Sequence, residues 1–253
     1  MILSHRHRFI FIKGVKVAGT SAEIALSQIC GTDDIITPVT RRDEQHRLGS
    51  AGEPRNYTAH FYPPIMRRAF ERRYLRLLKK PQDRSLLGRL HKRRFTNHMA
   101  LREVLRLVPE ACDYQAICVE RSPYAKVMSF ANWRRHNRTY MRGGALQQEP
   151  SGLVESIDEY LEDGSVRRVL NVERYRNLQG QVLVRPWTTA NLESELADFF
   201  RSRGVAPVPL PRAKQGANSD SLDPARILRG DQIAAINSIF AEEFELFGWP
   251  MIE

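Results

Sequence analysis

Short apolar runs bounded by turn residues alternate along the chain with stretches of helical period. Phe9-Ile10-Phe11-Ile12 and Tyr114-Gln115-Ala116-Ile117-Cys118-Val119 read as buried strands, and Val182-Leu183-Val184 as a third. After the first strand a turn with Gly14 and Gly19 leads into a helix over residues 20–29, stopped by Gly31. His98 to Val108 fits a helix ended by Pro109, and Pro123 opens another that runs to about Arg135, since proline suits a first helical turn. Ile157 to Leu161, Asn191 to Arg203 and Asp231 to Phe247 complete the helical segments. Residues 33–64, 137–152 and 207–223 are rich in Pro, Gly and polar groups and read as loops. Strands alternating with helices predict an α/β fold. The expectation is a single domain over residues 1–253 with a central, mainly parallel sheet flanked by helices.

Met66, Phe70 and Tyr74 recur at i+4, with Leu77 and Leu78 behind them, so a helix is expected here until Pro81, with a second restarting at Ser85-Leu86-Leu87. Charge sets this stretch apart. The whole chain has 39 Lys+Arg against 29 Asp+Glu, a formal charge of +10. Residues 65–94 alone hold 12 basic groups and two acids, so the other 223 residues balance. The segment reads either as a solvated helix pair or as a basic insertion for a polyanion, an anionic acceptor or an anionic membrane surface. No zinc-finger or aromatic-interleaved motif points to specific nucleic-acid binding.

Three cysteines, Cys30, Cys112 and Cys118, exclude a disulfide scaffold. The apolar runs are far shorter than the roughly 20 residues of a membrane span. The run after the basic N-terminal residues is too short for a signal core. A cytoplasmic location is expected, peripheral to a membrane if the basic segment engages one. His5 and His7 read as a frayed terminus, without the ligand cluster a metal requires, so no metal is expected.

Two strand-to-helix junctions carry the candidate chemistry. Gly14-Val15-Lys16-Val17-Ala18-Gly19-Thr20-Ser21 lies at a helix start, where backbone N–H groups face outward, and its frame resembles a P-loop, so the single domain is expected to be P-loop-like. Thr20 stands where a nucleotidase loop has lysine, and the loop's lysine is Lys16. At the second junction Arg121, with its planar fork of donors, ends a strand, and Ser129 follows eight residues later on a helix. Together these stretches resemble sulfotransferases that use 3′-phosphoadenosine 5′-phosphosulfate (PAPS), in the carbohydrate-type branch and its bacterial relatives. That family's loop commonly reads P-K-T-A-G-T-S, and this chain departs from it at Val15 and Val17. Its second motif is a strand ending in R-[DN]-P, and here Ser122 replaces the Asp or Asn.

The resemblance implies transfer of a sulfuryl group to a hydroxyl acceptor on a glycan, lipid or small metabolite, leaving the bisphosphate nucleotide PAP. It implies that Lys16, Val17, Ala18, Gly19, Thr20 and Ser21 hold the 5′-phosphosulfate, with Lys16 also stabilising the leaving oxygen. It implies Arg121 and Ser129 for the 3′-phosphate. Lys214, in the long loop 207–223, is a candidate to close over the nucleotide. The acceptor proton needs a base, and histidine is the usual one near neutral pH. Similar enzymes place theirs about where His98 stands, 23 residues before Arg121; His60 is the second candidate, and some branches use a glutamate. Two other readings stay open. One is an ATP-dependent small-molecule kinase, which lacks the loop lysine and has Arg185 where an acid would follow the third strand. The other is a non-enzymatic polyanion-binding module built on residues 65–94.

Overall fold

A computed structural model describes residues 1–79, 92–141, 152–211 and 223–253. Along them run β1 (Ile2–Ser4), β2 (Phe9–Phe11), α1 (Gly19–Ser27), β3 (Ile35–Ile36), α2 (Arg41–Glu44) and α3 (Pro64–Leu78). Next come α4 (Leu101–Leu107), β4 (Gln115–Glu120), α5 (Pro123–Met141), α6 (Leu153–Glu162) and α7 (Val172–Tyr175). The last are β5 (Arg185–Thr188), α8 (Leu192–Ser202), α9 (Pro224–Ile227), α10 (Gly230–Ile239) and α11 (Ala241–Phe247). The chain divides into two compact units. The first comprises Met1–Lys13, Ala18–Val119 and Arg174–Lys214; the second comprises Gly14–Val17, Glu120–Glu173 and Gln215–Glu253.

The first unit is α/β. Its five-stranded sheet has the order β3-β1-β2-β4-β5. β2 and β4 are parallel, pairing Phe9 with Gln115 and Phe11 with Ile117. β1 is antiparallel to both β2 and β3. The sheet is therefore mixed, not mainly parallel as expected. The cause is the four-residue turn His5–Arg8: a connection that short can join only antiparallel neighbours. The supposed frayed terminus is an inner strand with every residue buried. Asp34 fixes the turn by accepting from Ser4 Oγ at 2.6 Å and from the N–H groups of His5 and Arg6 at 2.7 and 3.1 Å. The two histidines are tied down as well. His5 Nδ1 lies 3.0 Å from the Tyr114 hydroxyl and His7 Nε2 lies 3.0 Å from the Ile29 carbonyl.

The last strand also falls elsewhere than expected. Val182 makes only an isolated bridge with Arg176, Leu183 is exposed, and the strand is Arg185–Thr188. Pro186 masks it in the sequence. Proline is tolerated there because β5 lies at the sheet edge, where an N–H is dispensable. Trp187 anchors it, fully buried against Phe199 of α8, whose ring also meets Phe9 of β2 at 5.3 Å.

The second unit is helical in its described residues. Tyr124, Val127, Met128, Phe130 and Ala131 of α5 pack with Ile157 and Tyr160 of α6 and with Ile233, Ile236, Phe240 and Phe244. The final helix, expected in one piece, breaks at Phe240, which has φ −107° and ψ 16°. The ring of Phe240 and the carboxylate of Glu243 both meet the Lys126 ammonium, so a tertiary demand overrides the local helical pattern.

Candidate functional site

Lys13 ends the first strand region with its ammonium buried, 2.8 Å from Glu23 Oε2. Burial works to raise the Glu23 carboxyl, but Lys13, the Met1 amino group and Arg47 outweigh it and hold its pKa down at about 2. Lys13 is thus committed to a structural ion pair. Beyond it, Lys16 and Ala18 adopt left-handed backbone conformations, φ 64° and 57°. Each costs about 1–2 kcal/mol in a residue with a side chain. Left-handed residues are a component of the backbone concavities in which successive N–H groups converge on an anion. Ala18 also begins α1, and no side chain caps that helix start. Gly19 and Thr20 are buried and Ser21 is half-buried. Val17 is almost fully buried, so an apolar side chain there serves packing.

In the second unit one buried polar network holds the segment Gly14–Val17. Asn171 grips the backbone of Val15 from both sides: its Oδ1 accepts from the Val15 N–H at 2.8 Å, and its Nδ2 donates to the Val15 carbonyl at 3.2 Å. The same Nδ2 donates to Glu120 Oε1 at 2.9 Å. Glu120 Oε2 accepts the Arg121 N–H at 3.1 Å and pairs with Lys126 Nζ at 3.0 Å. Lys126 also pairs with Glu243, which accepts the N–H groups of Asn171 and Val172 at 2.5 and 3.1 Å. All four side chains are fully buried. Burial, with the Glu120 charge adding to it, pushes the Glu243 carboxyl up against the pull of Lys126.

This network positions Arg121. Its guanidinium Nη1 donates to the Lys16 carbonyl at 3.4 Å. Ser122 accepts the Ala125 N–H through its hydroxyl at 3.3 Å, so it does the turn-shaping work expected of an Asp or Asn. Ser129 is half-buried on α5, and Trp133 follows one turn later on the same helix face. The Lys16 ammonium lies 5.3 Å from the Trp133 ring centroid, and the indole is 49% exposed. Lys16, Arg121 and Trp133 therefore meet in the second unit, and Ser129 stands one turn before Trp133 on α5. Trp133 was not among the sequence candidates; its i+4 spacing from Ser129 is the signal that marks it. Asn171 gives no such signal, because it meets Val15 across 156 positions.

The candidate histidines lie in the first unit and differ in chemistry. His98 Nδ1 is 3.1 Å from the Lys13 carbonyl. A carbonyl can only accept, so Nδ1 holds the proton and Nε2 keeps the lone pair. The residue as a whole is exposed, yet desolvation brings the ring's pKa down to about 4, with the Lys13 and Arg174 charges contributing and the carbonyl bond opposing. His98 is therefore a neutral imidazole near pH 7, with its lone pair on Nε2. His60 is exposed, and its Nδ1 accepts from Arg67 Nη1 at 3.0 Å. Desolvation, then the Arg94 and Arg67 charges, lowers its pKa. Its lone pair is already in use.

Lys214 lies outside the described residues. Among those residues no group of His, Cys, Asp and Glu is placed to hold a metal ion. A shallow groove of about 670 Å³, lined by His5, Arg6, Cys30, Thr32, Asp33 and Arg55 among others, sits at the end of β2 opposite Lys13. Asp34, which also lines it, is consumed by the turn it fixes, so the groove offers little chemistry. No family model, curated protein or solved structure matches the chain.

Proposed function

We propose that the protein is a sulfotransferase that moves a sulfuryl group from PAPS to a hydroxyl-bearing acceptor. The observation that carries this reading is the bond between Arg121 and the Lys16 carbonyl. It links the residues that the resemblance assigns to the two phosphate ends of the donor. In this reading the backbone N–H groups around Ala18 and Gly19, with the hydroxyls of Thr20 and Ser21, hold the 5′-phosphosulfate. Lys16 stabilises charge growing on the bridging oxygen as the S–O bond to the nucleotide breaks. Arg121 and Ser129 take the 3′-phosphate, and Trp133 offers an aromatic face beside Lys16. His98 Nε2 accepts the acceptor's proton as its oxygen bonds to sulfur.

The bisphosphate PAP should stabilise the protein against heat, by about 2.7 kcal/mol at a hundredfold excess over its Kd. A differential scanning measurement checks this. Stabilisation by ATP with Mg²⁺ and not by PAP would transfer the reading to a kinase.

Arg121→Ala should weaken PAP binding by about 1.5–3 kcal/mol, the worth of a bond to a charged group. Lys16→Ala should lower turnover more than it lowers affinity, because its partner charge grows in the transition state. Calorimetric titration beside steady-state rates separates the two effects, and unchanged turnover in Lys16→Ala removes its assigned role.

A further inference from the structure

The outward face of α3 is unusual in combining clustered cations with bare apolar groups. Glu71, Tyr74 and Leu78 are its buried residues. Glu71 accepts from the Thr58 hydroxyl at 2.8 Å and the Asn56 N–H at 3.1 Å, which pins that face inward. Opposite it, Ile65, Arg68, Arg72, Arg76 and Lys79 recur at three- and four-residue spacing, with Ala69 and Arg73 beside them, all exposed. Glu71 is the one carboxylate in residues 61–79, so this face carries five cations and no anion. The Met66 of the expected apolar stripe faces out as well, 42% exposed.

At the head of the helix the charge gives way to an apolar corner. Ile65 is 79% exposed and Phe61 65%. The corner is braced from behind. The Phe61 ring packs on Tyr62 at 4.3 Å, Tyr62 packs on Phe70 at 4.8 Å, and Pro64 fixes the first turn of the helix. Lys92 Nζ sits 5.8 Å from the Phe61 ring centroid, so cations border the corner on a second side.

We infer that this face docks the protein on an anionic lipid bilayer, with the cations of α3 at the headgroups and Phe61, Ile65 and Met66 inserted among the upper acyl carbons. Charge complementarity selects an anionic partner. The apolar corner selects a bilayer over a soluble polyanion, because a polyelectrolyte satisfies the arginines but gains nothing from burying Phe61 and Ile65. Arginine and lysine stems can lie along the interface while their heads stay in water. This is the chemistry of an interfacial helix, not of a span, and among the described residues no helix is long and apolar enough to cross a membrane. The inference is independent of sulfuryl transfer, because its test reads binding alone.

The test is co-sedimentation with phosphatidylcholine vesicles, with and without phosphatidylglycerol, on the full chain and two variants. One variant combines Arg68→Gln, Arg72→Gln, Arg73→Gln and Arg76→Gln; the other combines Phe61→Ser and Ile65→Ser. The native chain should partition onto the anionic vesicles and not onto the neutral ones. The arginine variant should lose about fivefold per cation removed. The Phe61/Ile65 variant should lose about tenfold or more, and its remaining binding should vanish at physiological salt, where screening acts over about 8 Å. All these side chains except the base of Phe61 face solvent, so circular-dichroism melts should coincide for the three proteins. Three results overturn the inference: no binding to either vesicle, equal binding to both, or anionic binding that the Phe61/Ile65 variant leaves untouched. The last would make α3 a polyelectrolyte surface, with heparin binding equally well to the native chain and to that variant.

Discussion

Replacing His98 by alanine is expected to lower turnover about 10²–10⁴-fold while leaving affinity for PAP within about twofold. The expectation rests on which nitrogen is available. The Lys13 carbonyl fixes the proton on Nδ1, so Nε2 alone holds the lone pair. With its pKa drawn down to about 4, the ring is unprotonated over the whole neutral range and needs no prior deprotonation. Its ordinary value of 6.5 lies above the folded one, so the unfolded chain takes up the proton first on acidification. The sign follows: stability tied to this group is present above about pH 6.5, declines as pH falls toward about 4, and levels off below. An NMR titration of the ring should place the transition near pH 4 in the ligand-free protein and move it upward when PAP brings negative charge. His60→Ala should cost less than about tenfold, because Arg67 already occupies the His60 lone pair. Should His60→Ala prove the more damaging of the two, the base is His60; should neither matter, it is a carboxylate.

Lys126→Met should destabilise the fold by about 3–5 kcal/mol, the usual consequence of leaving buried charge without its partner. The ammonium stands between Glu120 and Glu243, and all three groups are fully buried. Removing it leaves two fully buried carboxylates without the cation between them. Burial already holds the Glu243 carboxyl above its ordinary range while Lys126 pulls it down. In the variant that pull is gone, so the folded pKa climbs further above the unfolded one. The folded variant then binds more protons than its unfolded chain, and stability rises as pH falls through that window. The deficit measured by urea denaturation should therefore be smaller near pH 5 than near pH 8. A deficit that does not change with pH would mean that lost packing, not stranded charge, is the cause. PAP binding should weaken in step with the deficit, because Glu120 also accepts the Arg121 N–H and the Asn171 Nδ2 that grips Val15.

Both candidate junctions were legible because each is local. An apolar run, a glycine or proline, and a helix start within about a dozen residues leave one plausible backbone path. The strand ending at Glu120, the helix opening at Pro123 and the start of the helix at Gly19 stand within a residue of where that logic puts them. Long-range pairings were not legible. Nothing near Lys126 announces that its second carboxylate arrives from Glu243, and nothing near Val15 announces Asn171. β1 gives no sequence signal because the His5 and His7 that follow it read as a frayed terminus, although Asp34 turns that stretch into a tight connection. The availability of a histidine lone pair is equally invisible, since it depends on whether a carbonyl or a guanidinium happens to face Nδ1.

The two margins of the sheet lead to a different kind of conclusion. β3 is two residues long, and β5 carries Pro186 directly after the exposed Arg185. Among the described residues, neither margin offers a stranger's extended backbone a run of matching donors and acceptors. Two copies brought together at high concentration would find no ladder to extend. The sheet thus resists the edge-to-edge growth that leads to fibrils, and association of this unit with another molecule is left to side-chain surfaces such as the outward face of α3.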